Sequence, residues 1–211
     1  MDQRQIIDIS QRLGPQTPVW PGDTAVESGV RWDHSAESPV RVSWFRSSVH
    51  GGTHADAPLH YDPAGAAIDA VDLHAYLGRA RVIDVRGCGA LVTADMLRPS
   101  LNDPVERVLL RTFECFPHDR WPVNFAAVSP AAIDLLAAHG VVLIGIDAPS
   151  LDPETSKTME AHQALRRAGM RVLEGLVLDQ VAAGDYELIA LPLPLAGLDA
   201  APVRAVLRPL A

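Results

Sequence analysis

Apolar positions along this chain come in short blocks, each ended by glycine, proline or small polar residues. Blocks of this length predict strands, whereas longer stretches bounded by a cap and a glycine predict helices. Strands are expected over 41–49, 79–85, 107–111, 171–174 and 187–191. The run 141–146 is apolar throughout, as a strand buried on both faces should be. Thr93 opens a short helix over 93–97, with Pro99 just beyond. Ser129-Pro130 pairs a cap with a proline at the first helical position, and Gly140 closes that helix. His139 then sits where a cationic or hydrogen-bonding side chain suits a helix C-terminus. A further helix is read over 158–168, stopped by Gly169. The segments 13–23, 114–124 and 152–156 read as loops; the first carries Gly14, Pro15, Pro18, Pro21 and Gly22. Strands and helices alternate, so the expected fold class is α/β with a mixed sheet. The early part is richer in strand, so a regular doubly wound sheet is not required.

At 211 residues, one domain with a substantial core is expected. A net charge of -8, with no Lys/Arg cluster, argues against nucleic acid or an anionic membrane as partner. The segment 1–10 is polar and lacks the apolar core of a signal peptide. No apolar run reaches the roughly 20 residues that span a bilayer. The two cysteines, Cys88 and Cys115, make no disulfide framework and fit a reducing cytoplasm. A serine-nucleophile elbow, a Walker A loop and an H-E-x-x-H helix are all absent. Arg86-Gly87-Cys88-Gly89 lacks the third glycine of a dinucleotide fingerprint, with Val92 in its place, and reads as a turn.

The chemistry concentrates in His50-Gly51-Gly52-Thr53-His54-Ala55-Asp56-Ala57-Pro58-Leu59-His60. Imidazole nitrogen and carboxylate oxygen are the usual ligands of Zn²⁺ and related divalent ions. His50, His54, Asp56 and His60 occupy even positions, so one extended segment would project all four to the same side. Gly51-Gly52 and Pro58 disfavour the helical alternative. A divalent metal site follows, on a strand or the loop after it. Glu174 lies in the otherwise apolar Val172-Leu173-Glu174-Gly175-Leu176, where a carboxylate is costly to bury unless paired or bound to a cation. His162 lies mid-helix, and from the residues alone it is equally readable as structural. Trp20, by the same reading, is a loop tryptophan that covers the core.

The His-rich run resembles the signature of the cyclase-like metal-dependent hydrolases, and within that family its nearest match is the bacterial kynurenine formamidase branch. The resemblance continues through Trp20-Pro21-Gly22-Asp23, 145–153, Ser156-Lys157 with Ala161-His162, 173–176, 190–193 and 202–207. It departs at Asp199-Ala200-Ala201-Pro202, where a Gly-Ser pair is expected before the proline, and at Ala148, where the family often has threonine. It implies a swivelling β/β/α fold, a homodimer and two zinc ions per subunit, with Mn²⁺ or another divalent ion as alternative. It places His50, His54 and Asp56 on one zinc, and Asp56, Glu174 and His162 on the second. It makes His60 the catalytic acid/base and sets Trp20 against the substrate. The implied reaction is hydrolysis of N-formyl-L-kynurenine to L-kynurenine and formate in tryptophan breakdown. Two other functions use the same motif: opening of a cyclic amide such as isatin, and metal binding without catalysis.

Overall fold

The computed structural model describes residues 5–210. Residues 1–4, part of the segment read as lacking a signal-peptide core, lie outside that range. Thirteen strands are present among the described residues. They are β1 (Ile7–Asp8), β2 (Glu27–Trp32), β3 (Val42–Arg46), β4 (His54–Asp56), β5 (Leu77–Asp84), β6 (Leu91–Val92) and β7 (Arg107–Arg111). They continue with β8 (Ala127–Val128), β9 (Leu143–Ile146), β10 (Arg171–Glu174), β11 (Gly184–Ile189), β12 (Ala200–Pro202) and β13 (Val206–Pro209). Nine of them form one sheet in the order β1-β13-β11-β5-β7-β9-β10-β4-β12. Its centre, β5-β7-β9-β10, is parallel, and every pair outside it is antiparallel. This is the mixed α/β sheet expected from the sequence.

The central strands alternate their side chains between two cores, as period-2 geometry requires. Val108, Leu110, Ile144, Ile146 and Val172 face the helices α1 (Ala94–Leu97), α2 (Pro130–Ala138) and α3 (Glu160–Ala168). Leu109, Leu143 and Leu173 face the opposite side, against Ile9, Ile68, Tyr76 and Leu178. All four residues of β9 are buried, which accounts for its unbroken apolar run. Ser129 caps α2 by accepting a hydrogen bond from the Ala132 amide, with Pro130 in the first turn. The His139 ring lies 2.8 Å from the Leu135 carbonyl and closes the same helix. Among the described residues, no helix is long and apolar enough to cross a membrane.

Three expectations need correction. The strand read over 41–49 is shorter and does not run into the main sheet. It is β3, paired only with β2 in a separate hairpin, and exposed along its whole length. Apolar residues there imitated a core strand. The helix read from Thr158 begins at Glu160, because Met159 takes a left-handed conformation (φ 50°) and breaks the helical path. Thr93 precedes α1 but its side chain makes no capping bond.

Candidate metal centre

The four even positions do not share one extended face. Only His54 and Asp56 lie on a strand, where i, i+2 spacing points both to the same side of β4. His50 lies in the preceding turn, and His60 ends a tight 3₁₀ turn, Pro58–His60. Gly52, at φ 67°, and Pro58 bend the chain at either end of β4, so the outer histidines reach the site by turning. The sheet supplies the rest. Glu174 on β10 is directly opposite His54, and opposed side chains share a face. His162 reaches the same point from α3, buried to 1% exposure. The expected ligands therefore converge, although Glu174 and His162 lie more than 100 residues beyond the motif.

Asp56 and Glu174 each turn one oxygen to each of two poles. At the first, His50 Nδ1 is 3.0 Å and His54 Nε2 is 3.3 Å from Asp56 Oδ1. His54 Nε2 is also 3.4 Å from Glu174 Oε2. At the second, His162 Nε2 is 3.4 Å from both Asp56 Oδ2 and Glu174 Oε1. His60 Nε2 stands further out, 4.0 Å from Asp56 Oδ2. His54 Nε2, His162 Nε2 and both Asp56 oxygens are buried and have no hydrogen-bond partner. Each such orphan costs roughly 1–3 kcal/mol. Two of them meet at each pole, His54 Nε2 with Asp56 Oδ1 and His162 Nε2 with Asp56 Oδ2, and a cation at each pole would satisfy them. The donor set, imidazole with carboxylate, suits Zn²⁺ and its neighbours.

The outward faces of the rings are held as metal-ligating histidines require. His54 Nδ1 is 2.9 Å from the Gly52 carbonyl, and His162 Nδ1 is 2.6 Å from Asp152 Oδ2. Each of those nitrogens carries the proton, which leaves Nε2 free to bind. Asp152 also accepts the Ala161 and His162 amides, so it caps α3 and orients its histidine together. Glu174 Oε1 accepts the Leu151 amide at 2.9 Å. Thr53 ties the turn to β10, donating to the Gly175 carbonyl at 2.6 Å and accepting the Gln11 amide at 2.8 Å.

Electrostatics couple the cluster. Burial works against the charged form of His50, but Asp199 and Asp56 outweigh it and push the imidazole up to about 9. Burial likewise opposes charging of His54, and Asp56 with Glu174 raises it to about 10. Burial would raise the Asp56 carboxyl, yet the surrounding imidazoles hold it well below the usual range. The site is thus a knot of matched charges in which protons and a metal compete for the same nitrogens.

The cluster opens into a cavity of about 550 Å³. Trp20, Phe113, Phe116 and Trp121 give it aromatic walls, while His50, His54, His60 and Glu174 stand at its base. Trp20 packs edge-on against Trp121 with centroids 5.4 Å apart and also packs on the core, so its two sequence readings are compatible.

A family model named Cyclase matches residues 7–153, which include β4 and its histidines. The chain belongs to the Cyclase family. Its fold recurs in solved structures of similar size. A protein described as a predicted metal-dependent hydrolase from Bacillus stearothermophilus is 28% identical, with a TM-score of 0.82 over 96% of this chain and 97% of that one. An isatin hydrolase bound to the product analogue thioisatinate is 25% identical, with a TM-score of 0.82 over 98% and 93%. Isatin hydrolase A from Labrenzia aggregata, bound to benzyl benzoate, is 23% identical, with a TM-score of 0.83 over 96% and 93%, and shows the shared fold.

Two site residues escape the sequence. Asp152 sits in a segment legible only as a loop, and nothing local ties it to His162. Asp199 falls in the stretch noted for departing from the family pattern, yet its carboxylate contacts both His50 and His60.

Proposed function

We propose that this Cyclase-family member is a metal-dependent amide hydrolase, a kynurenine formamidase that converts N-formyl-L-kynurenine and water to L-kynurenine and formate. The carrying observation is the set of unpartnered buried donor atoms at the base of an aromatic-walled cavity. His50, His54 and Asp56 would hold one divalent ion, and Asp56, Glu174 and His162 a second, with zinc favoured by the donor types. Such ions lower the pKa of water from about 15.7 toward 7 and stabilise charge developing on an amide oxygen. The protein's own groups do the rest. Trp20 and its aromatic neighbours offer flat faces to an aryl ring. His60 faces the cluster through Nε2 and carries a proton to the leaving nitrogen as the C–N bond breaks.

A second reading, opening of a cyclic amide, is favoured by the isatin hydrolases among the structural neighbours. Both would use the same centre, so substrate separates them. A homodimer is part of the proposal, supported by the hairpin β2–β3, which exposes Trp32, Trp44 and Phe45. A cytoplasmic location fits the free Cys88 and Cys115.

The test is kynurenine release from N-formyl-L-kynurenine by protein as purified, after chelation, and after zinc is restored. Loss and recovery of turnover would support reaction and metal together. Absence of turnover with metal bound would reject the formamidase reading and direct the assay to isatin.

A further inference from the structure

Asp199 belongs to no block of the metal motif, and its side chain is 40% exposed. A single oxygen of it, Oδ2, meets two imidazoles, His50 Nε2 at 3.0 Å and His60 Nδ1 at 3.2 Å. The two rings sit 4.3 Å apart, tilted by 46°. Their other nitrogens face the Asp56 carboxylate, His50 Nδ1 toward Oδ1 and His60 Nε2 toward Oδ2. The sheet fixes this placement. Asp199 immediately precedes β12, whose Ala200 lies opposite Asp56, and its own carbonyl accepts the Ala57 amide at 2.8 Å.

An ionised carboxylate only accepts hydrogen bonds, and one oxygen has lone pairs for two donors. Both outer nitrogens must then carry protons, so that when a cation displaces protons from the cluster the inner nitrogens are the bare ones. We propose that Asp199 is a positioning residue that sets both tautomers at once, presenting His50 Nδ1 to the metal and leaving His60 Nε2 free to take and give the proton. One side chain thereby couples a ligand to the acid/base. A free imidazole in water favours the proton on Nε2, the wrong nitrogen for the role of His60, so that ring needs an outside acceptor. The inference rests on the roles proposed above for His50 and His60.

The test uses zinc-loaded protein with ¹⁵N-labelled histidine. Long-range ¹H–¹⁵N spectra report which ring nitrogen holds the proton. His60 is expected as the Nδ1–H form in the parent, moving toward Nε2–H in Asp199→Ala. Zinc affinity should weaken about 10–100-fold, as for other carboxylates behind a ligating histidine. Turnover should fall through kcat while KM stays within about twofold, since nothing in the aromatic wall changes. If Asp199→Ala does not fold, Asp199→Leu carries the same measurements, because a side chain of similar size without an oxygen accepts from neither ring. An unchanged His60 tautomer would overturn the proposal. So would loss of a whole equivalent of zinc, which would make Asp199 itself a ligand. The spectra and the zinc titration need no substrate, so failure on N-formyl-L-kynurenine leaves this test intact and counts against the substrate alone.

Discussion

His60 differs from its three neighbouring histidines most clearly in its distance from Asp56. It is 28% exposed, against 21% for His50, 2% for His54 and 1% for His162. It stands 4.0 Å from Asp56, while its fellow imidazoles approach within 3.0–3.4 Å. A group that lines the cavity, near the cluster but not locked into it, can exchange protons with substrate. His60→Ala should therefore lower kcat by about 10²–10⁴-fold, the usual range for a general acid or base. Bound metal, counted by elemental analysis, should stay at the parent level, because His162, Asp56 and Glu174 still define the second pole. Loss of metal in that variant would instead make His60 a ligand.

At the scale of elements, the site depends on two backbones that nearly touch. Gly175 follows the β10 glutamate at φ 64°, and a side-chain carbon there would lie 2.6 Å from the Gly52 carbonyl oxygen. That carbonyl is the acceptor that orients His54. Gly175→Ala should push the turn away from β10, destabilise the fold by roughly 1–3 kcal/mol through backbone strain, and weaken metal binding with it. Gly140→Ala is the control, since Gly140 also has positive φ (80°) but open space around it. Calorimetry of both variants, with and without zinc, separates the two effects. Equal zinc-dependent stabilisation in both would show that the Gly52–Gly175 approach does not hold the ligands. The helix α3 makes a similar point. Its N-terminus is capped by Asp152, from a loop eight residues before the helix, rather than by the residue that precedes it.

Across the whole molecule, one buried acid should be visible in the pH dependence of stability. Asp147, buried at the end of β9, is pushed up to about 6 by burial, against the hydrogen bonds from Thr112 and Phe113. The unfolded chain gives up that proton near 3.8. Between those values the folded state holds the extra proton, so this group's contribution to stability declines as pH rises through the window and levels off above it. About two pH units correspond to a loss on the order of 3 kcal/mol. Urea unfolding of the parent and of Asp147→Asn should converge or cross between pH 4 and 7, with the parent's relative stability falling. Parallel curves would rule this out. The hairpin β2–β3 carries the other whole-molecule expectation. Trp32, Val42 and Trp44 share a face of it that no part of the described chain covers. Sedimentation should show a dimer that Trp32→Glu with Trp44→Glu turns into monomer. An unchanged sedimentation coefficient would place any dimer contact elsewhere.

The sequence by itself determined the fold class, the capping of α2, the doubly buried β9 and the chemistry of the His-rich run, because these rest on near neighbours in the chain. Periodicity, Ser129-Pro130 and the crowding of imidazoles are all local. It misjudged β3, since local pattern reports that residues are apolar and not what they will meet. It likewise missed that His50 and His60 reach the site by turns, because parity holds only while the backbone stays extended. Glu174 and His162 were suggested by residue context and family resemblance, but their meeting point was fixed only by strand register and by the docking of α3. Asp152 and Asp199 were decided by tertiary structure alone. Asp199 lies 139 residues from His60, and only the pairing of β12 with β4 carries its carboxylate between two imidazoles.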